Sequence, residues 1–137
     1  MRVQLLCLIV GLPCIGLVSS AWFGLALARF LKRVPAIQSP SDMYRLKRTV
    51  AAQMYAALVQ IVILGAPVLL FFFGVVTKIL YAIDFLFVVV PSLAVFGAGM
   101  AMKTVERRVK TMPVSDEFAD DFRHVIEVWM RKPFPDW

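Results

Sequence analysis

The sequence predicts an all-α integral membrane protein with three transmembrane helices and a C-terminal amphipathic helix. Three observations carry that expectation. Hydrophobic residues make up 61% of the 137 and the mean hydropathy is +0.79, whereas soluble domains hold about 45–50% apolar residues. The apolar residues gather into three blocks long enough to cross a bilayer, at about 4–28, 50–73 and 85–102. Basic residues sit against the ends of those blocks. A chain this short cannot hide so much apolar surface in an interior of its own, because surface grows too fast relative to volume at this size. Lipid must cover the excess.

The first block, Val3 to Ala28, has no charged residue. It would form a helix of about 39 Å, against a hydrocarbon core of about 30 Å. A cleaved signal peptide is the competing reading, with Arg2 as its basic end and Ala21 near its cleavage site. Signal cores are shorter, however, and this run continues through Trp22, Phe23 and Leu25 to a basic stop at Arg29, Lys32 and Arg33. A retained span is expected. Cys7 and Cys14 lie a helix-length of about 10 Å apart on one face, too far for a disulfide within that helix; they read as small apolar packers.

Pro35 and Pro40 punctuate the first linker. Ser39-Pro40-Ser41-Asp42 has the form of a helix start: a hydroxyl cap, proline at the first helical position and an acid near the positive end of the dipole. The second span follows from Val50 to Phe73. A connector at about 74–83 carries Lys78 and leads to Asp84 and the third span, Phe85 to Met102, which ends in Lys103, Arg107, Arg108 and Lys110. Pro67 and Pro91 fall inside the second and third spans, where a kink is expected. The membrane region is thus 1–112 and the tail 113–137.

The charge distribution also bears on function. The chain has 15 Lys and Arg against 9 Asp and Glu. Six of the basic residues lie at Arg29–Arg48 and four at Lys103–Lys110, each group beside an apolar block. That placement reads as a topology signal and as contact with anionic headgroups, not as a nucleic-acid surface. It predicts an outside N-terminus, both basic segments in the cytoplasm and a cytoplasmic C-terminus, with a bacterial inner membrane as the expected location.

Four features could hold partners. Gly16, Ser20, Gly24 and Ala28 recur every four residues, a helix-packing seam that lets backbones approach. Gln60, deep in the second span, is the expected interhelical hydrogen bonder, with Gln53 one face-repeat nearer the end. Asp84 reads as a cap at the outer interface, with Lys78 as a possible partner, rather than as a proton relay. In the tail, Ser115 is placed to cap a helix with Asp116 and Glu117 in its first turn. Phe118, Phe122, Val125, Ile126 and Trp129 then form an apolar stripe. The polar side of that helix is acidic, which disfavours anionic lipid and predicts docking on protein, either at Arg45–Arg48 or on a partner subunit.

No cofactor, metal or catalytic constellation is expected. His124 is the single histidine and reads as a solvated helix-face residue, and neither a P-loop, GxGxxG, GxSxG nor CxxC occurs. The expected function is a non-catalytic accessory or scaffold subunit contacting lipid and other membrane subunits or itself. The alternative is a self-assembling pore former or small transporter. The plan of three spans with basic inner segments resembles phage holins in architecture only.

Overall fold

The computed structural model describes residues 1–137. It is 83% helical with no strands. Helix α1 runs Arg2–Arg33, α2 Pro40–Val76, α3 Leu86–Lys110 and α4 Ala119–Arg131. Three helical segments, Arg2–Arg33, Pro40–Val76 and Ala82–Lys110, are long and apolar enough to cross a membrane. Only 22%, 17% and 11% of their most apolar windows is buried, so most of that surface needs an apolar solvent. This is the architecture of an integral membrane protein.

The helices exceed the apolar blocks because their ends are built from polar residues that satisfy terminal backbone groups. At the start of α2, the Ser39 hydroxyl accepts the Asp42 backbone N–H at 3.2 Å and donates to the Asp42 carboxylate at 2.7 Å. The Gln38 N–H reaches the same carboxylate at 3.4 Å. Ser39 thus caps α2 as the Ser-Pro-Ser-Asp run predicts, and the bond from the Gln38 N–H to Asp42 adds a link the run does not announce. At the other end of α2, Lys78 takes a positive φ of 58°, and the N–H groups of Ile79 and Leu80 both donate to the Gly74 carbonyl, at 2.8 and 2.9 Å. A left-handed residue that turns the chain back onto the last helical carbonyls is usually glycine. Pro13, Pro67 and Pro91 all lie inside continuous helices.

Two compact units divide the chain, and α1, α2 and α3 each contribute residues to both. The first comprises Met1–Ala21 and Val59–Met100. Its core is small: Ile9, Phe71, Leu80 and Val88, with Leu5, Leu6, Val68 and Leu70 packed beside them. Gly74 makes this core possible, since a Cβ there would stand 2.5 Å from a Leu80 methyl and 2.8 Å from Leu5.

The second unit comprises Trp22–Leu58 and Ala101–Trp137. Its core joins the α1 end (Leu27, Phe30, Val34), the linker residue Ile37, the α2 start (Met43, Leu46, Val50), the α3 end (Val109, Met112) and α4 (Val125, Val128). Ile37 and Val114 form an isolated parallel bridge, with the Ile37 N–H donating to the Pro113 carbonyl and the Ser115 N–H to the Ile37 carbonyl, both at 3.0 Å. Two loops far apart in sequence are clipped together there.

Candidate functional site

The polar side chains inside the apolar helices are the first place to look for chemistry, because each needs a partner when water is absent. In the first unit, Gln60 donates to the Ser20 hydroxyl at 2.6 Å and lies 3.5 Å from that of Ser19. Ser20 is 3% exposed and its hydroxyl donates back to the Gly16 carbonyl at 2.9 Å. Gln60 thus links α2 to α1, as an amide in hydrocarbon must. In the second unit, Gln53 donates to the Phe23 carbonyl at 2.7 Å. That bond is also interhelical and taps a backbone acceptor already used within α1.

Asp84 is the only acid in the first unit. Its side chain is 3% exposed, and it receives the Arg2 guanidinium at 3.0 and 3.1 Å. The Tyr81 backbone N–H donates to the same carboxylate at 2.9 Å, and the Arg2 guanidinium lies 5.0 Å from the Tyr81 ring centroid. Arg2, not Lys78, is the partner. Asp84 lies within a 3-10 turn at Ala82–Phe85 that leads into α3. It closes that turn by reaching back to its first N–H instead of standing at the cap position itself. A single Arg2 nitrogen spans both carboxylate oxygens and the Tyr81 N–H adds a second donor, so Asp84 is held as a paired structural acid at the start of α3.

The small-residue face of α1 splits between the units. Gly16 lies against α2 and α3: a Cβ there would meet Ile63 at 3.1 Å and Val95 at 3.9 Å. In the second unit, Gly24 faces Met102, whose Cγ and Sδ lie 3.0 and 3.2 Å from where a Cβ would be. Ser20 is buried and Ala28 half-buried. Both glycines therefore meet helices of the same chain.

The tail helix packs on its own chain as well. Val125 and Val128 are 0% and 1% exposed, and Phe118, Phe122 and Trp129 pack around them. Ile126 is only half-buried. The buried face is thus rotated slightly from the sequence stripe, so that Val128 takes the place expected for Ile126. Lys47 and Asp121 approach to 3.6 Å, near the basic segment expected to receive this helix. The Lys110 ammonium lies 4.7 Å from the centroid of the Trp129 ring. Phe134 comes to 6.4 Å from Tyr55, centroid to centroid, and Lys132 pairs with Asp136.

Ser115 departs from its expected role. It has extended backbone angles ahead of a 3-10 turn at Asp116–Phe118, yet its hydroxyl makes no capping bond and is buried without a partner. Its backbone N–H is held by the Ile37 carbonyl at 3.0 Å. His124 is exposed, Cys7 and Cys14 are free and exposed, and no group of three or more His, Cys, Asp or Glu side chains converges. No protein-family model, no curated protein and no solved structure matches the chain.

Proposed function

We propose that the chain is a non-catalytic accessory or scaffold subunit of a larger membrane protein complex. One observation carries this reading. Ser20, Gln53, Gln60 and Asp84 spend their hydrogen bonds inside the chain, while large apolar side chains such as Val18, Val62, Leu69, Leu93 and Phe96 point outward. Such faces can pack against other helices by close van der Waals contact, the main adhesive force in lipid. Beyond the free thiols of Cys7 and Cys14, which have no base or acid grouped with them, they offer a reacting substrate no catalytic set. A pore would need polar groups to line it, and the residues suited to that are already engaged, which favours the subunit reading over a self-assembling pore.

The proposed orientation places the N-terminus outside and the basic segments and tail in the cytoplasm, in a bacterial inner membrane. The asymmetry of Lys and Arg between alternate connecting segments supports it. A reporter active only in the cytoplasm, fused after Trp137, is expected to give signal; silence there with activity of a periplasmic reporter reverses the orientation.

The subunit reading is tested by extracting the native protein in mild detergent. It is expected in a stoichiometric assembly with at least one other chain. A homogeneous preparation of this chain alone, or homo-oligomers that make vesicles leak ions, overturns the proposal.

A further inference from the structure

In the second unit, α1 and α2 enclose a cleft of about 370 Å3 rimmed by Arg29, Arg33 and Arg45. This falls within the roughly 300–1,000 Å3 typical of small-ligand sites. We propose that the cleft binds the phosphate group of an anionic membrane lipid, with Arg29, Arg33 and Arg45 gripping the headgroup.

The charge arrangement gives the first reason. Arg29 and Arg33 stand four residues apart at the end of α1, so two like charges share one helix face and repel one another modestly, a repulsion that an anion between them relieves. Arg45 adds a third guanidinium from α2, one turn before Thr49, which also lines the cleft. None of the three arginines forms an ion pair within the chain. The acid closest to Arg45 in sequence, Asp42, attracts it at longer range but keeps its hydrogen bonds for Ser39 and Gln38. Guanidinium forks match phosphate oxygens in pairs, which makes a convergent arginine set a better phosphate grip than scattered lysines.

The surroundings give the second reason and select a lipid over a soluble phosphate. The lining of the cleft is mixed: Ala26, Phe30 and Val34 lie beside the arginines and Thr49. Trp22, Leu25, Arg29 and Arg33 fall at i, i+3, i+7 and i+11, on a single face of α1. Trp22 and Leu25 are 65% and 54% exposed. One continuous strip is therefore cationic at the helix end and apolar in the preceding turns, the pattern a headgroup with its acyl chain requires. Basic pockets between transmembrane helices take phospholipid headgroups on this principle.

The proposal depends on the membrane architecture and is independent of the subunit reading, since it is tested on the isolated chain. The full-length protein, purified in neutral detergent, is titrated with phosphatidylglycerol or phosphatidylcholine and bound lipids are counted by native mass spectrometry. One phosphatidylglycerol per chain is expected, in preference to phosphatidylcholine. At about fivefold in affinity per arginine, R29Q/R33Q/R45Q is expected to lose roughly a hundredfold. R29K/R33K/R45K, which keeps the charge, is expected to fall between this triple and the wild type. K103Q/R107Q/R108Q removes the same charge from exposed positions on α3 and is expected to change affinity less than fivefold.

Equal losses in the two glutamine triples would mean a diffuse basic field and would overturn the proposal, as would equal binding of the two lipids. Competition by inorganic phosphate at the same concentration as the lipid would assign the cleft to a soluble anion and overturn the lipid. If the arginine triple fails to fold by circular dichroism, R45Q alone decides, with a fivefold loss expected and an unchanged affinity overturning the assignment.

Discussion

The two units solve the same problem, holding helices together, in different solvents. In the first unit the outward faces are apolar and the buried core is four side chains; the remaining adhesion comes from single polar links, Gln60 to Ser20 and Arg2 to Asp84, and from glycines that admit a neighbouring side chain. Lipid is as apolar as leucine, so burying leucine there yields packing but little hydrophobic gain. The second unit includes α4, whose polar face carries Asp120, Arg123, His124 and Glu127 and whose apolar face is buried. That helix needs water on one side. Its core can therefore be driven by the hydrophobic effect and is three times the size, with twelve buried residues. Polar links and glycine spacing occur in both units, but only the second adds an amphipathic stripe with a large core behind it.

Substitutions can break or sharpen that contrast. The largest effect is expected for Val128→Asp. A buried, unpaired carboxylate costs several kcal/mol, enough to detach α4; hydrogen exchange across residues 119–131 should rise to the level of a free peptide. Ile126→Asp, on the half-exposed side, should leave most of that protection in place. Protection lost equally in both would mean the stripe docks as the sequence alone arranges it.

Leu46→Ala in the second unit's core follows, at about 2–5 kcal/mol for removal of a fully buried leucine. It is best measured as a loss of thermal stability in detergent. In the first unit, Gly16→Ile is expected to cost about 1–3 kcal/mol by forcing Ile63 and the α1 backbone apart. Gly65→Ala, with nothing within 4 Å of its added Cβ, should stay within about 0.5 kcal/mol. A similar cost at both glycines would refute close approach as the reason for Gly16.

Smaller still is Lys78→Gly, which should stabilise by about 1 kcal/mol by relieving a left-handed backbone. Were Lys78 the partner of Asp84, the same change would destabilise, so the sign of the shift in melting temperature identifies the partner. Lys47→Ala, which removes an ion pair with a largely exposed Asp121, should cost no more than about 1 kcal/mol and less in high salt.

Sequence reasoning reached different depths in the two units. Block length and hydropathy were enough for three spans, because a bilayer imposes one length on every helix that crosses it. Ser39 and Asp42 announced their cap, since a cap is made by residues three apart. Gln60 was legible as an interhelical donor because an amide in hydrocarbon has few alternatives. The Arg2–Asp84 pair was not, because its members are 82 residues apart and Lys78 lay nearer in sequence. The arginine cleft was also illegible: Arg29, Arg33 and Arg45 read as a topology signal until two helices brought them around one opening.

By itself, the sequence determined the all-α class, the three apolar helices and an amphipathic fourth, since periodicity, length and local caps are properties of neighbouring residues. Only the tertiary structure decided which face of α4 is buried, that Ile37 and Val114 bridge two loops, and which cation meets Asp84. Those outcomes depend on side chains and loops from distant parts of the chain competing for the same space. No local pattern records which of them wins.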